Sequence, residues 1–498
     1  MLDITHRSFS DRSNLPPCAS SSHARLAKPH VRSIATTLLR VWSGLSEAAP
    51  ARSQSSPQEI AEWHFPGTSL VSAGLLQSPP MPANSLTFDT ATFSGVTRAQ
   101  RQTLLAAALG WMLDAFDVML YALVLAHVMR DLHMSKSTAG LLNTLMLLSS
   151  GVGGILFGFI ADRVGRKRAL TLSILTYSIC SFASGLTQTI AQLAFFRTLL
   201  GLGMGGEWNT GATLVAETWP TRLRAKALAL VQSSWAIGYA MAALVAGIVL
   251  HFFNWRYVFF VGIMPAFVTL WIRSRVPESP LWEQSQQTGA RNQLDTSIWP
   301  IFRPPMLKKT IAVLLINLFG LFAYWGLMSW IPAYLSLPVA QGGRGFGLLN
   351  TTTLLLTLNL VGMLPGYLTF GLVADWLGRK GAFTLYFVTA GLLVPLYAAA
   401  RSPWSIMVMG ILVAFFGTGF FSGSGLIASE IFPTHLRARA LGITYNGART
   451  LSALAPFIIG SVGQRRGLDS AFYICSLSFF LAALSVFPLP ETRGKELE

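Results

Sequence analysis

The sequence predicts an all-α membrane protein of twelve spanning helices in two six-helix halves related by a pseudo-two-fold axis along the membrane normal. Three observations predict it. Of 498 residues, 52% are hydrophobic and only 12% charged, a composition for which the bilayer is the natural solvent. From Leu104 onward, apolar stretches of about 20 residues, the length that crosses a hydrocarbon core as helix, follow one another with short polar breaks. A pair of motifs in the first half of these stretches recurs in the second half at one constant offset. Helix is required because a spanning segment must satisfy its own backbone hydrogen bonds, and the runs lack the alternation of barrel strands.

Residues 1–100 are rich in Ser, Pro, Ala and Arg with no sustained apolar period and read as a disordered leader. No apolar core follows the first charges, which argues against a signal peptide, and Asp3, Asp11, Glu47, Glu59 and Glu62 oppose a transit peptide. Translation from Met81 is the plainer alternative, with residues 1–80 then upstream of the protein. Spans near 103–128, 138–161, 169–187, 190–213, 226–252 and 255–274 make up an N-terminal half, 101–274. The polar stretch 275–308 is a linker. Spans near 309–336, 350–374, 382–400, 403–427, 438–463 and 468–488 make up a C-terminal half, 309–489, followed by a tail, 490–498.

The repeat sets the topology. Gly158 to Lys167 matches Gly371 to Lys380, with Asp162, Gly165 and Arg166 answering to Asp375, Gly378 and Arg379. The stretch from Glu217 to Arg224 matches that from Glu430 to Arg437. Two motifs that keep one offset across several helices imply halves of equal topology, with a binding site between them at mid-depth.

A net charge of +16 invites a nucleic-acid reading, but the placement of the cations removes it. If both termini are cytoplasmic, Lys and Arg of the inner loops, Arg163, Arg166, Lys167, Arg168, Arg379 and Lys380 among them, outnumber those of the outer loops by about three to one. That bias fixes the orientation and explains the basic charge with no nucleic acid as partner; the expected place is a cell inner membrane, as a multi-pass protein with both termini cytoplasmic. Cys18, Cys180 and Cys475 supply neither a disulfide framework nor a metal cluster. His127, His133, His251 and His435 are not spaced as metal ligands. With no nucleophile triad, Walker loop or dinucleotide fingerprint, neither an enzyme nor an ATP-driven pump is expected, and no cofactor.

The loop GFIADRVGRKR, Gly158 to Arg168, with its second copy, resembles the signature of the major facilitator superfamily between its second and third helices. The stretch Trp111 to Asp117, the run from Arg197 through Gly201, Gly203, Gly205, Gly206, Glu207 and Trp208, and Glu217 to Pro220 resemble the sialate:proton and aromatic-acid:proton symporter families. Val276 to Pro280 and Pro490 to Gly494 resemble the sugar-porter branch. The resemblance covers roughly residues 100 to 495 and implies proton-coupled uptake of a carboxylated metabolite by a monomer. It also implies that an arginine at the position of Arg197 takes part in proton transfer.

The residues support this separately. Asp114 and Asp117 are three apart, hence on one helical face, roughly 16 and 21 Å from the inner end at about 1.5 Å per residue. A carboxylate at that depth persists if it faces a wet cavity, pairs with a cation or takes up a proton. Arg197, about 10 Å from the outer end of its helix, lies at the level of Asp117, so an ion pair between them is allowed; a static helix–helix bridge is the alternative. Glu207 is a reserve proton site. The glycines around it, with Gly211, allow close helix approach. Arg449 stands near mid-depth of the eleventh span, where a lone guanidinium wants an anion: a substrate carboxylate, or an internal partner. Tyr121, Trp235, Tyr239, Asn317, Tyr324 and Asn446 are further candidates for the cavity wall, as are Trp325, Trp330, Asn359 and Tyr445, with packing as the alternative for each. Asp162, Arg163, Gly165, Arg166, Glu217 and Arg224, with Asp375, Arg379, Glu430 and Arg437, suit charge locks that break and reform as the cavity changes face; a merely solvated basic loop would not explain two equivalent acids. Two other classes of function stay open, a proton antiporter exporting drugs or metabolites and a transporter-like sensor that binds without turnover.

Overall fold

Residues 96–280, 282–284, 299–304 and 306–493 are described by the computed structural model. The leader through residue 95, with the Met81 alternative, and residues 285–298 of the linker lie outside them. Among the described residues there are twelve crossings. The N-terminal half contains α1 (Arg98–Asp131), α2 (Lys136–Val164), α3 (Arg166–Ser184), α4 (Ile190–Thr218), α5 (Thr221–Phe252) and α6, which runs as Trp255–Val261 and then Met264–Arg275. The C-terminal half contains α7 (Met306–Met328, then Ile331–Ser336), α8 (Leu348–Thr357 and Leu364–Leu377, joined by a π-turn Leu358–Met363), α9 (Arg379–Ala399), α10 (Pro403–Ile431), α11 (Thr434–Ser452, then Ala455–Arg466) and α12 (Leu468–Val486). Outward faces carry exposed apolar side chains such as Ile155, Phe159, Leu392 and Leu477, as contact with lipid requires.

Local chemistry fixes the ends. Thr97 with Gln100 and Thr189 with Gln192 form reciprocal capping boxes at the starts of α1 and α4. Ser135 and Ser402 cap α2 and α10. The expected spans read as unbroken, whereas α6, α7, α8 and α11 are each interrupted. Every interruption comes just ahead of a proline, Pro265, Pro332, Pro365 or Pro456, at the start of the next segment. Proline has no N–H to give to the preceding turn and its ring crowds that turn's carbonyl. Pro395 sits inside α9 without ending it.

Nine crossings are apolar enough over their length to be recognised as membrane spans by composition among the described residues; α3, α4 and α11 are not. These three carry polar groups into the interior: Ser173, Ser178 and Ser181 on α3, Arg197 and Glu207 on α4, Arg449 on α11. Glycine lets α4 press against its neighbours. A Cβ on Gly205 would collide with the Ser150 carbonyl of α2, and one on Gly203 would come 2.7 Å from the Tyr177 nitrogen of α3.

The helix ends that flank the turns after α2, α4, α8 and α10, with Arg275 at the end of α6, carry Arg163, Arg166, Lys167, Arg168, Arg379 and Lys380 among other cations and define a basic end of the bundle. The halves meet at the opposite end. There Lys136 of α2 donates from Nζ to the Gln341 carbonyl (2.5 Å) and the Gly463 carbonyl (3.3 Å), and its backbone N–H donates to Gln464 (3.0 Å). Deeper along α2, Asn143 donates to Ser329 (2.7 Å) at the break in α7, and Thr144 donates to the Ala453 carbonyl (2.7 Å) at the break in α11. At mid-depth Trp235 Nε1 donates to the Tyr324 hydroxyl (2.6 Å) and the Tyr239 hydroxyl to the Met328 carbonyl (3.3 Å).

Candidate functional site

A narrow pocket of about 20 Å³ lies between the halves at mid-depth. Its wall is mostly aromatic and draws on both halves: Trp111 of α1 and Trp235 of α5 face Tyr324 and Trp325 of α7, with Tyr367 of α8, Phe421 of α10 and Tyr445 of α11 beyond. The rings form a chain. Trp111 touches Trp208 and Trp235 at centroid distances of 4.5 and 4.7 Å, and Trp235 meets Trp325 edge-on at 6.2 Å. Two polar side chains interrupt the wall, Gln232 and Arg449. Arg449 is 5% exposed, and its Nη2 has no hydrogen-bond partner among the described residues.

Behind Trp111 the N-terminal half encloses its acids. Asp114 and Asp117 are fully buried, one turn apart on α1. Neither oxygen of Asp114 has a hydrogen-bond partner among the described residues. Its electrostatic neighbours are Arg449 across the pocket and Glu207 of α4. The Glu207 carboxylate packs against the bare backbone of Gly110, one turn from Asp114 toward the basic end. Asp117 accepts from the Ser181 hydroxyl of α3 (3.0 Å), and the break in α6 brings Gly262 against the same carboxylate.

Arg197 is fully buried, and the allowed ion pair with Asp117 is not formed: the two attract across a gap, but the guanidinium lies over the Tyr121 ring, 4.6 Å from its centroid. The quadrupole of the ring takes part of the charge there, while the Ser181 hydroxyl donates to Oδ1 of Asp117. Tyr121 is therefore absent from the pocket wall; its hydroxyl donates to the Ala139 carbonyl (3.0 Å). Of the other expected wall residues, Trp235, Tyr324 and Arg449 line the pocket and Tyr239, Asn317 and Asn446 do not. Tyr239 bridges to α7, and Asn317 donates to the Val313 carbonyl of its own helix (2.9 Å). Trp325 and Tyr445 are on the wall; Trp330 and Asn359 bond instead to backbone, at Pro456 and Leu355. Gln232, Leu321, Tyr367 and Phe421 were not foreseen. For Gln232 a signal existed, an amide alone in an apolar span.

At the basic end the two motif copies build matching clusters. Arg166 pairs with Asp162 (3.0 Å) and Glu217 (3.1 Å), and Arg379 with Asp375 (2.7 Å) and Glu430 (2.8 Å), so each arginine ties three helices of its own half. Gly165 and Gly378 adopt φ of +105° and +86°, where a side chain is strained. A Cβ on either would also meet a carboxylate, Glu278 or Glu491. Those two glutamates cap the next helix: Glu278 accepts from the Lys167 N–H (3.0 Å), Glu491 from those of Arg379 (2.9 Å) and Lys380 (3.0 Å). Burial works to raise the Glu491 pKa, but the N–H groups of Arg379, Lys380, Arg493 and Thr492 outweigh it and hold it below the ordinary glutamate value. Arg163 is exposed, Arg224 is half-buried with Nε unpartnered among the described residues, and the Arg437 side chain lies outside them.

Twelve helices in two matching halves around a central pocket define a multi-pass solute carrier. The Major Facilitator Superfamily model matches residues 107–350 and 343–498, and the chain belongs to that family. It is 31% identical over 412 residues to the sialic acid transporter NanX of Escherichia coli (strain K12), covering 80% of this chain and 97% of that one. It is 29% identical over 384 residues to the cis,cis-muconate transport protein of Acinetobacter baylyi (76% and 92% covered). A solved D-xylose-proton symporter superposes with a TM-score of 0.65 at 19% identity, covering 80% of this chain and 100% of that one, and so shares the fold. Members of this family move solutes rather than transform them; the protein is a transporter, not an enzyme.

Proposed function

We propose that the protein is a proton-coupled symporter of a small planar carboxylate, working as a monomer by alternating access. The observation that carries this reading is Arg449, a nearly buried cation with a free Nη2 in a wall of aromatic rings. A guanidinium in such a place is matched by a carboxylate, which takes a bidentate fork. The flanking rings favour a flat, unsaturated body over a polyhydroxylated one, whose hydroxyls would lose water without gaining partners. The muconate relative is consistent with this choice.

Asp114, Asp117 and Glu207 are the proton-binding groups. While Arg449 has no anion, its charge is offset by Asp114 and Glu207; once a carboxylate arrives, the acids are left facing one another in a dry interior and take up a proton. Arg197 on Tyr121 supports the charged form of Asp117 and is released toward it when the halves repack. The arginine clusters at Asp162 and Asp375 hold each half rigid and break as the basic end closes.

The basic end faces the cytoplasm of a cell with an inner membrane, which places both termini on that side. In this arrangement the halves are residues 101–274 and 309–489, joined by 275–308. The test is binding to detergent-purified protein by calorimetry. Benzoate-type acids bind to the wild type and not to Arg449→Gln; equal binding by both would remove Arg449 from the site.

A further inference from the structure

Tyr177 of α3 is fully buried, and its hydroxyl has no hydrogen-bond partner among the described residues. Leaving a phenol unpaired in a dry interior is costly, so such a group calls for an explanation. Its charged neighbours are Glu207 of α4 and Asp114 and Asp117 of α1; α6, the other helix beside α3 here, presents Gly262 to this cluster.

The register of the helices orders these groups. Ser181, which bonds Asp117, is four residues beyond Tyr177, so Tyr177 sits about 6 Å nearer the basic end, at the level of Asp114. Helical side chains lean toward the N-terminus, which for α3 is the basic end, and this carries the hydroxyl on toward Glu207 at Gly110. Asp117, then Asp114 with Tyr177 at its level, then Glu207 thus descend toward the basic end, with about one helical turn between levels.

Resting on the symport reading above, we propose that the Tyr177 hydroxyl relays the proton between the aspartates of α1 and Glu207. In the step toward the basic end, protonated Asp114 gives its proton to the Tyr177 oxygen as the Tyr177 O–H proton passes to the Glu207 carboxylate. Asp114 ends ionised, Glu207 neutral and Tyr177 unchanged. The open hydrogen bonds of the resting structure close during turnover, as proton-transfer contacts commonly do.

The test is Tyr177→Phe, which removes one unpartnered oxygen and keeps the ring, in proteoliposomes with radiolabelled benzoate. Uptake driven by an inward proton gradient is expected to fall by about 10-fold or more, while benzoate exchange at symmetrical pH, which needs no net proton movement, stays near wild type. Undiminished gradient-driven uptake overturns the relay, and so does an equal loss of both activities, which would mark a packing role. If the wild type itself exchanges benzoate without any response to the gradient, the symport reading has failed and the relay with it. A second readout is 3-fluorotyrosine at position 177, which makes the phenol more acidic without removing it. The relay requires a shifted pH profile of uptake, and an unmoved profile contradicts it.

Discussion

In the proposed mechanism Arg449 holds the anion and Asp117 a proton, and single substitutions separate the two roles. Arg449→Lys keeps the charge and loses the planar fork, so apparent affinity for the acid is expected to fall by about 10- to 100-fold, the value of a charge-assisted hydrogen bond; equilibrium binding checks it. Gly262→Ala tests the packing around Asp117. The added methyl would stand 2.6 Å from Asp117 Oδ1, and the expected result is lost proton coupling with a lower melting temperature. The sequence exposed Asp114, Asp117, Arg197, Glu207 and Arg449 because charge inside an apolar span is expensive and conspicuous. It could not expose Tyr177, Tyr367 or Phe421, since an aromatic residue in a span is ordinary until packing aims it. Nor could it show that Arg197 rests on Tyr121 rather than on Asp117. Spacing gives the depth of a side chain, not its direction.

Helix ends and breaks carry the next set of consequences. Lys136 fastens α2 to α11 and to the turn Val339–Gln341 across the end opposite the basic loops. Lys136→Met removes those bonds and is expected to favour opening of that end, raising the labelling rate of a cysteine placed at Ser461 by an impermeant maleimide; an unchanged rate would show that Lys136 is no latch. Glu491 caps α9, and its pKa lies below the ordinary value, so its contribution is fully present above the unfolded-state pKa of about 4.3 and is lost as pH falls through the lower folded value. Glu491→Gln should therefore lower the melting temperature at neutral pH and converge with wild type in acid. Helix positions were legible from apolar length, but the interruptions were not read, although Pro265, Pro332, Pro365 and Pro456 announce them. The pairing of Glu278 with Glu491 as equivalent caps was likewise present in the motifs after α6 and α12, and emerged only once each glutamate was seen at the start of a helix.

For the molecule as a whole, the repeat predicted from two motifs extends to three, since the Asp–Arg–Glu clusters and the glutamate caps recur together at both copies. Halves each tied by an arginine cluster at the basic end and joined to one another by side-chain bonds at the other end are suited to rocking about a central pocket. In the proposed mechanism this rocking couples a carboxylate to a proton. Its most direct measurement is uptake of radiolabelled benzoate-type acids, with lactate, shikimate and sialate beside them, into proteoliposomes with and without an inward proton gradient, for wild type and Asp117→Asn. The expected result is gradient-stimulated uptake of a planar acid that the substitution abolishes. Uptake indifferent to the gradient, or equally strong in Asp117→Asn, would contradict it.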